Sequence, residues 1–83
     1  MFEVFIEKAA EKDLRLASAL RKRAEKAILG LARNPRPVGA KKLSGSKADW
    51  RIRVGDYRVL YEIADAIRVV RVFRVRHRGD VYR

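Results

Sequence analysis

Arginine is the residue type in this sequence that is best placed to bind a ligand or act in catalysis, because it alternates with apolar residues in strand-like segments. In Trp50–Val54 the apolar side chains alternate with Arg51 and Arg53, and Arg58 follows in the next alternating segment. The planar guanidinium fork matches the geometry of phosphate, whereas lysine offers a point charge. Alternate side chains of a strand share one face. We therefore expect Arg51, Arg53 and Arg58 to form one exposed phosphate-binding surface.

A strong positive charge is the second feature of the sequence. The chain carries 21 lysines and arginines against 10 acidic residues, which gives a formal net charge of +11. Such a field attracts polyanions, namely nucleic acid, an anionic membrane surface or an acidic protein. A surface charged only for solubility is the alternative explanation.

The composition also excludes several classes of protein. Because the chain has no cysteine and a single histidine, we expect no disulfide framework, no metal centre and no other cofactor. No apolar segment approaches the roughly 20 residues that cross a bilayer, and acidic residues interrupt any signal-like N-terminus. We therefore expect a cytoplasmic protein without membrane contact.

The elements that hold the arginines follow from the changing periodicity along the chain, which we expect to form one domain over residues 1–83. Apolar spacings of three and four within residues 7–33 predict two helices, with a bend at Leu16–Ala19 where Ser18 can cap the second helix. Alternating segments joined by short turns predict an antiparallel meander. The predicted strands are Phe2–Ile6, Trp50–Val54, Tyr57–Ile63 and Ile67–Val75, and residues 38–47 form a basic loop.

This order of elements segregates helices from strands and predicts an α+β fold. We expect one twisted antiparallel sheet with the helical hairpin on one face and the other face exposed. Strict alternation directs Tyr57 and Tyr61 into the core and leaves Glu62 on the exposed face with the arginines. Trp50 is expected to pack against a helix.

Several segments of the sequence resemble the RelE family of toxins. Trp50–Ile63 and His77–Arg83 resemble the central and terminal family motifs, while Lys41–Gly45 and Leu29–Pro35 match the approach to the second strand and the end of the helical hairpin. The resemblance covers essentially the whole chain, and the combination is specific although no single segment is. It implies a toxin that enters the ribosomal A site, cuts messenger RNA there without a metal, and is held inactive by a cognate antitoxin in a hetero-oligomeric complex.

The resemblance also implies roles for individual residues. Arg51 and Arg53 occupy positions where the family places basic residues near the scissile phosphate, and several members have lysine there. Arg58 matches the family arginine that contacts the phosphate. In the terminal motif, Arg78 matches an arginine and Tyr82 a tyrosine proposed to act in proton transfer or base stacking. The resulting candidate catalytic residues are Arg51, Arg53, Arg58, His77, Arg78 and Tyr82, and the candidate RNA-binding residues are Lys41, Lys42, Lys47, Arg74 and Arg76.

RNA supplies its own nucleophile for such a reaction, since a 2′-hydroxyl can attack the neighbouring phosphate. The bond from phosphorus to the 5′-oxygen then breaks, which leaves a 2′,3′-cyclic phosphate on one fragment and a 5′-hydroxyl on the other. The protein then orients the attack, stabilises charge on the phosphoryl oxygens and moves protons. Arginine is no base at neutral pH, because its pKa stays above about 12. The base must therefore be His77, Tyr82 or Glu62, or a group of the substrate or ribosome. Histidine has a reference pKa near neutrality, which favours His77, but a surface histidine without a catalytic role explains this residue equally well.

Two other functions remain open from the sequence. One is a ParE-like inhibitor of DNA gyrase that keeps the fold without nuclease activity. The other is a non-catalytic RNA-binding or ribosome-binding protein, whose affinity for RNA would fall steeply with salt. The central and terminal motifs resemble the RNA-cleaving branch and favour the nuclease.

Overall fold

Two helices and five strands form the part of the chain that the structure, a computed structural model, describes, namely residues 1–77. The predicted α+β fold is confirmed, with both helices on one face of a single sheet. The elements are β1 (Glu3–Ile6), α1 (Lys8–Leu16), α2 (Arg21–Gly30), β2 (Lys41–Lys42), β3 (Asp49–Val54), β4 (Tyr57–Ala64) and β5 (Val69–His77).

The sheet has the strand order β1-β5-β4-β3-β2. Strands β3, β4 and β5 form the predicted antiparallel meander. The sheet is nevertheless mixed, because β1 runs parallel to β5 in the register Glu3 with Val69. The helices and hairpins between these two strands provide the long connection that a parallel pair needs. The basic loop also contains a strand that the sequence pattern did not predict, since Lys41 pairs with Arg51 and Lys42 with Trp50.

The helical segment bends where the sequence predicted. A 3₁₀ turn at Ser18–Leu20 separates α1 from α2, but Ser18 does not cap the second helix with its side chain, and the residue before α2 is Leu20. The apolar stripes of both helices pack on the sheet. The buried core comprises Ala10, Leu14, Ala24, Ile28 and Leu31 from the helical segment and Ile52, Val54, Val59, Tyr61, Ile63, Val70, Val72 and Val75 from the sheet.

A tight turn fixes the register between β3 and β4. Gly55 and Asp56 join the strands, and Gly55 has a φ of +59°. This positive φ favours glycine, and a Cβ atom on Gly55 would lie 2.8 Å from Cδ1 of Leu20, so that the leucine side chain would have to shift. The turn places Arg53 directly opposite Arg58.

A β-bulge interrupts the pairing of β4 with β5. Leu60 pairs with Arg74, but the next residue, Tyr61, pairs with Val72. Phe73 is therefore the extra residue, and the alternation of side chains changes phase there. The unbroken alternation that we expected along the last strand is wrong at this point.

The apolar pattern explains the position of the bulge. Val70, Val72 and Val75 are all buried, although the last two are separated by three positions rather than two. Only an extra residue lets all three side chains face the helices. As a consequence Arg76 pairs with Arg58, and His77 pairs with Tyr57.

Candidate nucleic-acid interface

Three arginines form a line across the face of the sheet that the helices leave uncovered. Arg53 of β3 pairs with Arg58 of β4, and Arg58 pairs with Arg76 of β5. We call Arg53, Arg58 and Arg76 the arginine row. The expectation of an exposed side chain is wrong for Arg58, which is only 8% exposed at the centre of the row, whereas Arg53 is exposed and Arg76 half-buried. Side chains at directly paired positions have Cβ atoms about 4.5–5.5 Å apart, so the row concentrates positive charge in a small area.

A second line of paired residues lies beside the arginine row. Arg51 pairs with Leu60, which in turn pairs with Arg74. Arg51 is two residues from Arg53 on the same strand and shares its face. Leu60 is half-buried and gives this line an apolar centre. The structure thus brings Arg51, Arg53, Arg58 and Arg76 to one face of the sheet.

Arg74 is directed toward α1 by an acidic partner. Its Nε donates to Oδ2 of Asp13 at 2.8 Å and its Nη2 to Oδ1 at 3.1 Å. The same carboxylate accepts a hydrogen bond from the backbone N–H of Val75 at 2.9 Å. Asp13 therefore neutralises Arg74 and satisfies a backbone donor just after the bulge. Nothing in the sequence pattern indicated this pairing, because the partners are 61 positions apart.

The far end of the exposed face carries acidic groups. Glu62 accepts a hydrogen bond from Nη1 of Arg71 at 2.8 Å, and Glu7 lies 3.4 Å from Nε of the same arginine. Asp49 pairs with Glu62 across β3 and β4. The positive potential of the face is consequently strongest at the end that holds the arginine row.

His77 lies on the other face of the sheet. It pairs with Tyr57, whose side chain packs against the core, and the two rings meet edge to face with centroids 5.2 Å apart. The β-bulge therefore separates His77 from the arginine row. Arg78 and Tyr82, the remaining candidate catalytic residues, lie outside the described residues.

The candidate lysines lie at the periphery. Lys41 and Lys42 are exposed on the short strand β2, next to Arg51. Lys47 is exposed in the following loop. In this loop Ser46 Oγ accepts hydrogen bonds from the backbone N–H groups of Ala48 and Asp49. These lysines extend the positive surface along the β3 side of the sheet.

A clamp around Arg36 was missed by sequence reasoning. Arg36 donates two hydrogen bonds to Asp65 at 3.2 and 2.7 Å, and its guanidinium lies 5.2 Å from the centroid of the Trp50 ring. The hydrogen bonds from Arg36 lower the pKa of Asp65. Nearby, the buried hydroxyl of Tyr61 donates to the carbonyl of Pro35 at 2.7 Å, and burial raises the pKa of Tyr61 to about 12. Trp50 itself is partly buried against the core.

Two features are absent from residues 1–77, the part of the chain that the structure describes. In this part of the chain no group of three or more histidine, cysteine or acidic side chains is arranged to hold a metal ion. Over the same residues no helix combines the length and apolar composition that crossing a membrane requires. The guanidinium groups of the arginine row can bind and polarise phosphate oxygens.

A family model described as the ParE toxin of the type II toxin–antitoxin system parDE matches residues 4–82. The chain belongs to the RelE/ParE toxin superfamily. It is thus a toxin of a type II toxin–antitoxin system, and the family resemblance expected from the sequence is confirmed.

Solved structures of RelE toxins are similar to this RelE/ParE toxin over nearly their whole length. The archaeal RelE of a RelE–RelB complex from Pyrococcus horikoshii has 28% identity and a TM-score of 0.81, with 94% of this chain and 96% of that chain covered. The isolated RelE of E. coli has 28% identity and a TM-score of 0.78, with coverages of 99% and 92%. RelE in the RelB–RelE complex of Methanococcus jannaschii has 30% identity and a TM-score of 0.74, with 94% of each chain covered. None of the curated proteins compared with this sequence matches it.

Proposed function

We propose that this toxin is a ribosome-dependent endoribonuclease that cuts messenger RNA in the A site and so inhibits translation. The observation that carries the proposal is the arginine row, with Arg58 at its centre and Arg51 beside it. We propose that the row holds the scissile phosphodiester while the adjacent 2′-hydroxyl attacks it. The reaction needs no metal ion, because the attacking group belongs to the RNA.

The charge of the row favours a bound anion. Like charges at directly paired strand positions destabilise a sheet. A phosphodiester between the guanidinium groups lowers this repulsion. Arginines held by a rigid sheet need no reorganisation as negative charge develops on the phosphoryl oxygens, which is the condition for electrostatic stabilisation of a transition state.

Proton transfer is the second part of the proposed mechanism. Tyr82 is our first candidate for it, because the family resemblance assigns that position to proton transfer or stacking, and because His77 packs against Tyr57 on the opposite face. We propose that Arg78 adds a further contact to the phosphate. If the assignment is right, Tyr82→Phe slows cleavage far more than His77→Ala. The reverse order would make His77 the proton-transfer residue.

We propose three partners for the toxin. Messenger RNA and the ribosome follow from the mechanism, with Lys41, Lys42 and Lys47 as additional contacts to RNA. A cognate antitoxin follows from the relatives, because the RelE toxins of Pyrococcus horikoshii and Methanococcus jannaschii occur in complexes with RelB. We propose a hetero-oligomeric complex of this kind, located in the cytoplasm.

Primer extension on messages from cells that express the toxin tests the nuclease directly. We expect cuts at A-site positions with the native chain and a loss of about 100- to 1,000-fold with Arg58→Ala, the range found when one transition-state donor is removed. Arg71→Ala is the matched control. It removes an arginine from the same face but from the acidic end, where its exposed ion pairs contribute little to stability. Intact messages in growth-arrested cells would refute the nuclease proposal.

A gyrase inhibitor is the second candidate, because the matching family model is that of the ParE toxin of parDE systems. Under this alternative the purified toxin inhibits DNA supercoiling by gyrase and leaves messages intact. A supercoiling assay with the native chain and Arg58→Ala separates the two candidates. Binding to free RNA without toxicity would instead favour a non-catalytic RNA-binding protein.

A further inference from the structure

The outer edge of β3 is only partly paired within residues 1–77. Strand β2 covers Trp50 and Arg51 and then stops, since Gly39, with a φ of +92°, turns the chain away. The carbonyl of Asp49 accepts a hydrogen bond from Leu43 on the β2 side at 2.8 Å. Backbone groups of a strand alternate in direction, so Arg53 directs its N–H and C=O to that same outer edge. An unpaired edge of this kind can accept a further strand.

A cavity of about 400 Å³ lies next to this edge. It is lined by Ala27 and Gly30 of α2, by Pro37–Gly39 and by Arg51–Arg53. Such a volume is within the range of binding sites that receive apolar groups. Most of these lining residues are apolar, and the two arginines stand at the strand side. We call it the edge cavity.

Gly30 keeps the edge cavity open without a structural requirement for glycine. Its φ lies outside the left-handed region, and no atom lies within 4 Å of the position that a Cβ would take. Glycine also has a low helix propensity, so alanine would be more favourable at this position of α2. A side chain can therefore be added at position 30 without backbone strain, and it would occupy part of the edge cavity.

A second cavity of about 550 Å³ continues the first along β3. It shares Ala27 and Arg53 with the edge cavity and adds Arg23 and Lys26 from α2. The residues that line the two cavities include the cations Arg23, Lys26, Arg51 and Arg53 and no carboxylate. We call the two cavities together the edge groove.

We propose that the edge groove binds an extended peptide segment of a partner protein, in which aliphatic residues alternate with acidic ones, as an added strand along β3. The backbone of Arg53 supplies strand hydrogen bonds, the edge cavity receives an aliphatic side chain, and the side chains of Arg23, Lys26 and Arg53 pair with the carboxylates. The proposal rests on the proposed function in that the partner is the antitoxin.

A peptide fits these features better than RNA does. A phosphodiester chain has no side chain that fills an apolar cavity, and it cannot use the alternating N–H and C=O groups of a strand edge as a partner strand can. Charge alone would suit either polyanion. The combination of an open edge, an apolar cavity and a cationic rim is satisfied together by an acidic and aliphatic strand.

Binding of a synthetic heptapeptide of alternating glutamate and valine or leucine, capped at both ends, tests the proposal on the purified chain. Two analogues carry N-methyl groups, one on every odd amide and one on every even amide. Only one set of amides can face β3 once the aliphatic side chains occupy the edge cavity. We expect one analogue to bind at least about tenfold more weakly and the other to match the parent peptide. No binding of the parent, or equal binding of all three peptides, would overturn the proposal.

Filling the edge cavity gives a second measurement. Gly30→Leu is expected to weaken binding of the parent peptide at least about tenfold, whereas Ala9→Leu, which adds the same side chain at an exposed position of α1 outside the cavity, leaves it unchanged. Circular dichroism checks that both variants fold. If a variant does not fold, the N-methylated peptides still test the proposal on the native chain. The same variant is tested with an oligouridine probe. If Gly30→Leu lowers the affinity for oligouridine as much as it lowers the affinity for the peptide, the groove binds RNA and the proposal is overturned.

The peptide measurement is independent of the nuclease. It uses the isolated chain and contains no ribosome or message. Failure of the peptide to bind, with messages still cut by the native toxin, would overturn only the docking proposal. Intact messages together with peptide binding of the expected kind would overturn only the nuclease.

Discussion

Replacing Asp13 by alanine is expected to lower the free energy of unfolding by about 2–3 kcal/mol. The Asp13 side chain is only 13% exposed and accepts three hydrogen bonds, two from the Arg74 guanidinium and one from the backbone of Val75. Hydrogen bonds to charged groups contribute about 1.5–3 kcal/mol each when they are buried. Arg74 is 36% exposed, so solvent screening reduces the contribution of its pair with Asp13 to about 1–2 kcal/mol. The unsatisfied N–H of Val75 adds a cost of about 1 kcal/mol or more.

Urea denaturation measures this effect. With a slope of about 1 kcal/mol per molar urea, which suits a chain of this size, the midpoint should fall by roughly 2–3 M. Glu11→Ala is the matched control on the same helix. Its partner Arg15 is 3.8 Å away and both side chains are about 60% exposed, so its effect should stay within about 0.5 kcal/mol. A double-mutant cycle with Arg74→Ala should then isolate a coupling of about 1–2 kcal/mol. Equal effects of the two single variants would refute the assignment of Asp13 as the support of the bulged segment.

Three further predictions concern the frame of the site. Tyr61→Phe should cost about 1–2 kcal/mol in thermal unfolding, because the buried carbonyl of Pro35 loses its donor. The pKa of Asp65 is lowered in the folded state, so its contribution to stability is present above the unfolded pKa and is lost as pH falls through the folded one. The free energies of unfolding of the native chain and of Asp65→Asn should therefore converge as the pH falls below about 4. A difference between them that stays constant down to pH 2 would contradict this. Gly55→Ala should cost about 1–2 kcal/mol, since alanine is strained at a φ of +59° and would meet Leu20.

The sequence predicted which residues share a face of the sheet where the chain is locally regular. Strands β3 and β4 alternate without interruption, and a two-residue turn joins them, so the phase of one strand determines the phase of the other. The pattern therefore assigns Arg51, Arg53 and Arg58 to one face, which agrees with the observed register. Their placement opposite the helices followed from the apolar residues between them.

The prediction failed where one residue changes the phase of a strand. The segment from Val69 onward contains arginines and valines on both of its alternating sets, so the pattern did not show where an extra residue enters. The bulge at Phe73 places Arg76 directly opposite Arg58 on the neighbouring strand and directs His77 to the other face of the sheet. The local signal of the bulge is the spacing of three positions between the buried residues Val72 and Val75.

The sequence by itself determined the α+β order of elements, the antiparallel meander and the arginine-rich face, because each follows from propensity and from periodicity over a few neighbouring residues. Only the tertiary structure decided that β1 runs parallel to β5, that Asp13 neutralises Arg74, and that Arg36 and Asp65 form a clamp. The physical reason is that these partners meet through the packing of separate elements. Charge, alternation and turn chemistry are local properties, whereas the choice of partner for each charge depends on which helix comes to rest on which strand.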